Sequence, residues 1–188
     1  MKILAICPSI RPDKLAFMMD SFLMTRSEYT DIRINYEPGN ITDIFNRTFS
    51  AHPDYNFYMM LNDDILFKTE NWDIKLANKG KISYGNDLLQ GENLCTFPMI
   101  DGDIVRSLGW LQMPTLNRYC GDCVWKFIGK QLNILSYHPD VIIEHLWEGA
   151  DATINTQDMQ AFANWLPFSF RDVKKIREAL NERNYHKR

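Results

Sequence analysis

The sequence predicts a single α/β domain built on a largely parallel sheet with helices against its faces. Three observations carry that reading. Residues 3–7 and 57–61 are unbroken apolar runs of strand length, bounded by Pro8-Ser9 and by Asn62-Asp63-Asp64. Such runs belong to strands covered on both faces. Between them lie two stretches with apolar residues at helical spacing. Strand, helix, strand, helix and strand within about sixty residues is the pattern of βαβ units. A chain of 188 residues suits one such domain and buries enough surface to need no disulfide or metal for its core.

Residues 3–7 form the first strand. Pro12-Asp13 opens a helix, with Asp13 as candidate N-cap, and Leu15, Met18, Met19, Phe22 and Leu23 make one apolar face. Residues 32–36 alternate as a strand, and Pro38-Gly39-Asn40 makes a turn. Ile41, Ile44, Phe45, Thr48 and Phe49 trace a second helical face, ended by His52-Pro53-Asp54. After the strand at 57–61, residues 81–84 read as a strand and 85–93 as a polar loop. Ile104, Val105 and Leu108 mark a short helix stopped by Gly109. Residues 122–132 read as a helix. Two strands follow, 134–137 and 141–146, separated by His138-Pro139-Asp140. Helices over 157–165 and 171–183 close the chain, the last with a Val173, Ile176, Leu180 stripe. The methionines Met18, Met19, Met24, Met59 and Met60 belong to core faces.

The net charge of −3 argues against a generally basic nucleic-acid binder and leaves room only for a local basic patch. One such patch lies near the C-terminus. Lys174, Lys175, Arg177, Arg183, Lys187 and Arg188 stand there against Asp172, Glu178 and Glu182. A solvated helix face is the plain reading; the alternative is an anionic partner, whether a membrane surface, a nucleic acid or a second copy of the chain. No apolar run reaches the roughly 18–20 residues of a membrane span. The apolar start breaks at Pro8, short of an export signal. The expectation is a cytoplasmic protein whose Cys7, Cys95, Cys120 and Cys123 are free thiols. Cys120 and Cys123 have C-x-x-C spacing, which suits zinc or redox chemistry; a zinc site would want a second pair, which is missing, and a lone pair is a weak signal.

Four features bear on chemistry. Asn62-Asp63-Asp64 follows a buried strand directly, at the sheet edge where open α/β folds bind ligands. Adjacent carboxylates there repel unless a cation or donors compensate them; the plain alternative is a strand-ending turn. In Glu144-His145, alternation puts His145 on the face of Val141 and Ile143 and Glu144 on the other. That histidine is either a metal ligand or a hydrogen-bonded core residue. Asp122, at an apparent helix start, is an N-cap first, and is also aimed as a general base needs to be. Trp72 and Trp110 either stack on a sugar or base, or fill gaps beneath the helices.

The motifs occur in a telling order: Pro8-Ser9 with Arg11, Asn46, Asn62-Asp63-Asp64, Asn71-Trp72-Asp73, Tyr84-Gly85-Asn86-Asp87 and Gln90-Gly91-Glu92. Leu108-Gly109-Trp110, Gly121-Asp122 with Trp125, and Ile143-Glu144-His145 complete the series. In that order they resemble the small GT-A nucleotide-sugar glycosyltransferases of the family 2 type found in bacteria and phages. The resemblance spans roughly residues 2–153. It implies a GT-A domain over 1–153, with a Rossmann-like mixed sheet, and a C-terminal helical extension over 154–188 packed on it.

What the resemblance implies for the site is specific. Asn62-Asp63-Asp64 stands where the family has its D-x-D motif, with Asn at the first position, so the metal role falls on Asp64, with Asp63 beside it. His145 completes the metal shell and Asp122 is the base. Pro8, Ser9, Arg11, Asn46, Asn62 and Asp63 serve the nucleotide; Asp87, Trp72 and Trp110 lie toward donor sugar and acceptor. The implied cofactor is Mn²⁺ or Mg²⁺, neutralising a departing diphosphate, with the imidazole favouring Mn²⁺. The donor is a nucleotide-sugar, UDP-linked by this reading. The acceptor is a glycan, lipid-linked sugar, protein, small molecule or hydroxymethylated pyrimidine of phage DNA, the last needing a flipped or unpaired base. One base without a nucleophile implies single displacement with inversion. Two rivals stand beside this. A catalytically silent GT-A binding domain is favoured by Asn62. A nucleotidyltransferase is disfavoured because Pro8-Ser9-Ile10-Arg11-Pro12 is not a Gly-rich phosphate loop.

Overall fold

The structure is a computed structural model and describes residues 1–147, 149 and 152–185, with the backbone alone at 184 and 185. Strand β1 (Ile3–Pro8) lies between β2 (Thr30–Asn35) and β3 (Phe57–Met60), parallel to both. Residues Ile3, Leu4, Ala5, Ile6 and Cys7 have no exposed surface, as a central parallel strand requires. Alternation sorts them. Ile3, Ala5 and Cys7 join Phe57 and Met59 in one core layer, while Leu4 and Ile6 join Tyr58 and Met60 in the other.

Helix α1 (Pro12–Thr25) covers the first layer with Leu15, Met18 and Phe22. Its N-cap is Arg11 rather than the expected Asp13, because Pro12 takes the first helical position, where a missing N–H costs nothing. Leu23 and Met24 are exposed, so the apolar face is narrower than the sequence suggests. Ser21 takes their place on the buried side. Helix α2 (Ile41–Ala51) covers the second layer with Ile44, Phe45 and Phe49, and Asn40 caps it by accepting from the Thr42 and Asp43 amides.

After β3 the chain runs through residues 61–64 into β4 (Ile65–Phe67), then α3 (Trp72–Leu76), β5 (Ile82–Asn86), β6 (Met99–Asp101) and α4 (Gly102–Leu108). Helix α5 (Gly121–Leu132), strand β7 (Leu135–His145) and helices α6 (Ala152–Trp165) and α7 (Phe170–Tyr185) complete the fold. The strands form one mixed sheet in the order β2-β1-β3-β6-β5-β7-β4. β6 is antiparallel to β3 and β5, β5 is parallel to β7, and β4 is antiparallel to the end of β7. This is a Rossmann-like α/β architecture in a single domain.

The two strands expected over 134–146 are one. Its register on β5 jumps from Gly85↔His138 to Asn86↔Ile142, so Pro139-Asp140-Val141 is a bulge in a continuous strand, and His138-Pro139-Asp140 is not a break. Gly85 makes this possible, since a Cβ there would run into the Val141 carbonyl. Thr69 stitches the bulge by accepting from Ile142 N (2.8 Å) and donating to Asp140 O (3.3 Å).

The C-terminal helices share the core of the second layer. Ile176 is fully buried, and Arg183 of α7 pairs with Asp101 (2.9 Å) and Asp103 (3.1 Å). Lys174, Lys175 and Arg177 are exposed; Lys187 and Arg188 lie outside the described residues. Among the described residues no helix is long and apolar enough to cross a membrane.

Candidate functional site

The Asn62-Asp63-Asp64 loop connects a central strand to an edge strand. β4 pairs with the end of β7 in the register Ile65↔His145, and Leu146 N donates to Asp64 O at 2.8 Å. That ladder brings Asp64 and His145 together. Asp64 Oδ1 is buried, and His145 Nε2 approaches it at 3.5 Å, too long for a full hydrogen bond. The His145 ring stands edge-on to Phe97 at 5.0 Å between centroids, and its backbone N donates to Asp87 O at 3.0 Å. Arg11 lies 3.6 Å from Asp64 Oδ2. Burial opposes ionisation of Asp64, but His145 and then Arg11 outweigh it, and the carboxyl sits below its ordinary range.

Asn62, Asp64 and His145 open onto a cleft of about 320 Å³, which Gly121, Asp122, Arg118, Trp147 and Asn155 also line. Asp122 is not the N-cap of α5. Cys120 holds that position with φ 63, and Asp122 sits one residue inside the helix, where its Oδ1 accepts from Cys123 N at 2.8 Å. Burial raises the Asp122 carboxyl above its ordinary range, against the pull of hydrogen bonds from Cys123 and the nearness of His145. A more basic carboxylate facing a cleft is suited to take a proton.

The loop leading to Asp122 is held from α6. Asp158 has no exposed surface, and its carboxylate accepts from Asn117 N (2.7 Å), Asn117 Nδ2 (3.0 Å), Arg118 N (2.8 Å) and Tyr119 N (2.6 Å). Four donors converging on one buried carboxylate fix three consecutive residues to the helix. The sequence offered no sign of this, since Asp158 lies in an ordinary helical stretch far from the loop it binds.

Several expected site residues have other occupations. Asp63 is buried, and Ser9 and Arg11 both bond its carboxylate, Arg11 through Nε (2.9 Å) and Nη2. It anchors Arg11 rather than facing the cleft, and Pro8 and Ser9 belong to this cluster beside the cleft, at the end of β1. Asn46 spends its whole amide on the backbone, accepting from Leu111 N and Gln112 N and donating to Gln112 O, so it shapes the wall behind the cleft. Asp87 is 1% exposed; its Oδ1 gathers the amides of Leu89, Gln90 and Gly91 and so folds the loop whose Leu89 and Gln90 reach the cleft. Trp72 is wholly buried against Phe22 and Phe67 and has no face for a ligand. Trp110 packs on Trp125 and borders a separate hollow with Trp165 and Phe168.

No family model matches the chain, and no curated protein matches it in sequence. A solved structure does share its architecture. The chain is similar to A197 from STIV. The superposition has a TM-score of 0.53 at 13% identity, over 79% of this chain and 87% of that one. At that identity the likeness to A197 speaks for the α/β fold alone.

The remaining question of composition is whether a divalent cation fits. Among the described residues no three His, Cys, Asp or Glu side chains gather as a metal cage. Asp64 Oδ1 and His145 Nε2 are nonetheless one oxygen and one nitrogen donor, side by side, with the oxygen lacking a hydrogen-bond donor of its own. Two protein ligands with the rest supplied by phosphate oxygens and water is a usual arrangement for Mg²⁺; the imidazole suits Mn²⁺ as well.

Proposed function

We propose that this protein transfers a sugar from a nucleotide-sugar donor, UDP-linked by its sequence resemblance, to an acceptor hydroxyl with the aid of Mn²⁺ or Mg²⁺. The observation that carries the reading is the meeting of Asp64, His145 and Asp122 around one cleft, at the sheet edge where open α/β folds take ligands. Asp64 and His145 are the side chains that would hold the cation. When bound, such an ion neutralises charge developing on the departing diphosphate. Asn62 offers its amide to the ribose or base. Asp122 takes the proton from the attacking acceptor hydroxyl, a contribution of roughly 10²–10⁴-fold. Arg118 and Trp147 line the same cleft and offer a cation and an aromatic face to whatever enters. With Asp122 acting as a base and no second carboxylate assigned as nucleophile, the transfer goes in one displacement with inversion.

Calorimetry with UDP, with and without Mn²⁺, tests the site. Wild-type protein binds UDP in a Mn²⁺-dependent way, and Asp64→Ala and His145→Ala each weaken that binding by about tenfold or more, a loss of about 1.4 kcal/mol or greater. Unchanged affinity in both variants removes the proposal. A second reading, a silent binding domain, is favoured by Asn62 and by Arg11, whose guanidinium stands 3.6 Å from Asp64 as a built-in cation. Hydrolysis of a UDP-sugar in the presence of Mn²⁺ separates the two readings, because the silent domain binds without turnover.

A further inference from the structure

We propose that Cys120 and Cys123 form a reversible dithiol–disulfide pair that exchanges with small disulfides inside the cleft. This goes beyond the transfer reaction and does not depend on it. Cys120 is the N-cap of α5 and Cys123 lies in its first turn, so the C-x-x-C spacing puts both sulfurs at the same helix end. Both line the cleft, and both are free thiols. Cys123 N donates to Asp122 Oδ1 at 2.8 Å, which ties this turn of the helix around the two thiols. Cys120 Sγ also touches Met159 Sδ of α6 at 3.2 Å.

Two further observations separate this pair from ordinary buried cysteines. Cys120 has φ 63, a backbone conformation that non-glycine residues rarely adopt, and the Asp158 clamp on residues 117–119 helps to hold it there. The two thiols are also unequal. The neighbouring Cys123 makes Cys120 more acidic than a free thiol, while Cys120, and then burial, push Cys123 the other way. A helix N-terminus and a partner thiol three residues on are the surroundings that make one cysteine of such a pair nucleophilic.

The exchange balances without any other reagent. The Cys120 thiolate attacks one sulfur of R–S–S–R; a Cys120–S–S–R bond forms and R–S⁻ leaves. Cys123 then attacks the Cys120 sulfur of the mixed disulfide, its proton passing to the adjacent Asp122 carboxylate or to water; the Cys120–Cys123 bond forms and the remaining R–S⁻ leaves. Two protein thiols lose two electrons, and the small disulfide gains them as two thiols once their protons arrive. Cys120 is 6% exposed and lines the cleft, so a slender disulfide such as oxidised glutathione reaches it where a folded protein does not.

The test is a redox titration of the full chain in reduced and oxidised glutathione, with differential alkylation and mass spectrometry of the peptide spanning Cys120 and Cys123. A reversible two-electron transition confined to that peptide is expected, with Cys7 and Cys95 modified only after unfolding because both are fully buried. Cys123→Ser traps glutathione on Cys120, whereas Cys120→Ser accumulates no adduct on Cys123. A peptide that stays reduced in excess oxidised glutathione overturns the proposal, as do equal adducts on both variants. The titration reads the unaltered chain, so a variant that fails to fold does not leave the matter open. It also requires no sugar transfer, so its failure and that of the proposed transferase are distinguishable.

Discussion

Two carboxylates, the half-buried Asp122 and the buried Asp158, are used in opposite ways. Asp158 is saturated with four donors and presents nothing to the cleft; Asp122 accepts from its own helix and keeps its basicity facing outward. Their variants are expected to part accordingly. In Asp122→Asn the amide oxygen still accepts from Cys123 N, so stability and donor binding hold, while turnover of the acceptor falls by about 10²-fold or more because an amide takes no proton. Steady-state kinetics with the acceptor in hand checks this, and near-wild-type turnover sinks the role of Asp122. In Asp158→Ala four N–H groups lose their acceptor. Hydrogen bonds to charged groups are each worth about 1.5–3 kcal/mol and do not add fully, so a loss of about 3 kcal/mol or more is expected. Urea denaturation with an unchanged slope and a lower midpoint is the signature. An unaltered midpoint would show that water replaces the clamp.

At the scale of elements, α4 and α7 are joined by charge as well as by packing. Asp103 lies beside Arg106 of its own helix and Arg183 of α7. Burial alone would raise its carboxyl, but Arg106 and then Arg183 outweigh it and hold it below the ordinary range. The sign follows. A carboxyl depressed on folding stabilises fully above its unfolded value near 3.9, and the contribution fades as pH falls below that through the folded value. Asp103→Asn is therefore expected to lower stability near neutrality, where the contribution is fully present, and to match wild type in strong acid, where it is gone, with a shallower acid-denaturation curve by circular dichroism; an identical curve contradicts the coupling. The elements also mark where sequence reading reaches. β1, α1, α2 and β3 were legible because apolar spacing is a local property, and Gly109 stops α4 at φ 78 as its type suggests. β4 and β6 have three residues each, too few for any period to register. The continuity of β7 through Pro139 depends on Gly85 of another strand, and the depth of Trp72 on Phe22 and Phe67, neither of which spacing reveals. For the same reason Asp64, His145 and Asp122 were legible as residue types at strand ends and a helix start, whereas the Asp158 clamp was not. Its donors come from a different part of the chain.

In the molecule as a whole, strands β3, β6, β5, β7 and β4 are hydrogen-bonded in succession, and residues 61–64 link the last back to the first. The chain therefore steps from β3, in the middle of the sheet, straight to β4 at its edge. The free edge of β4 is covered too, since Phe67 N donates to Ser21 Oγ of α1 at 3.1 Å, which protects it from pairing with another chain. Such a sheet has a last pairing to form. The β4–β7 ladder joins residues far apart in sequence, and contacts of that kind form late because loop closure must precede them. Pulsed hydrogen exchange during refolding is expected to protect the amides of β1 before those paired between Ile65 and His145; simultaneous protection would show that the sheet forms in one step. The order has a meaning during synthesis. A chain that has emerged only as far as β5 already carries Asp64 but has nothing to set it against; the carboxylate meets its imidazole only when β7 arrives.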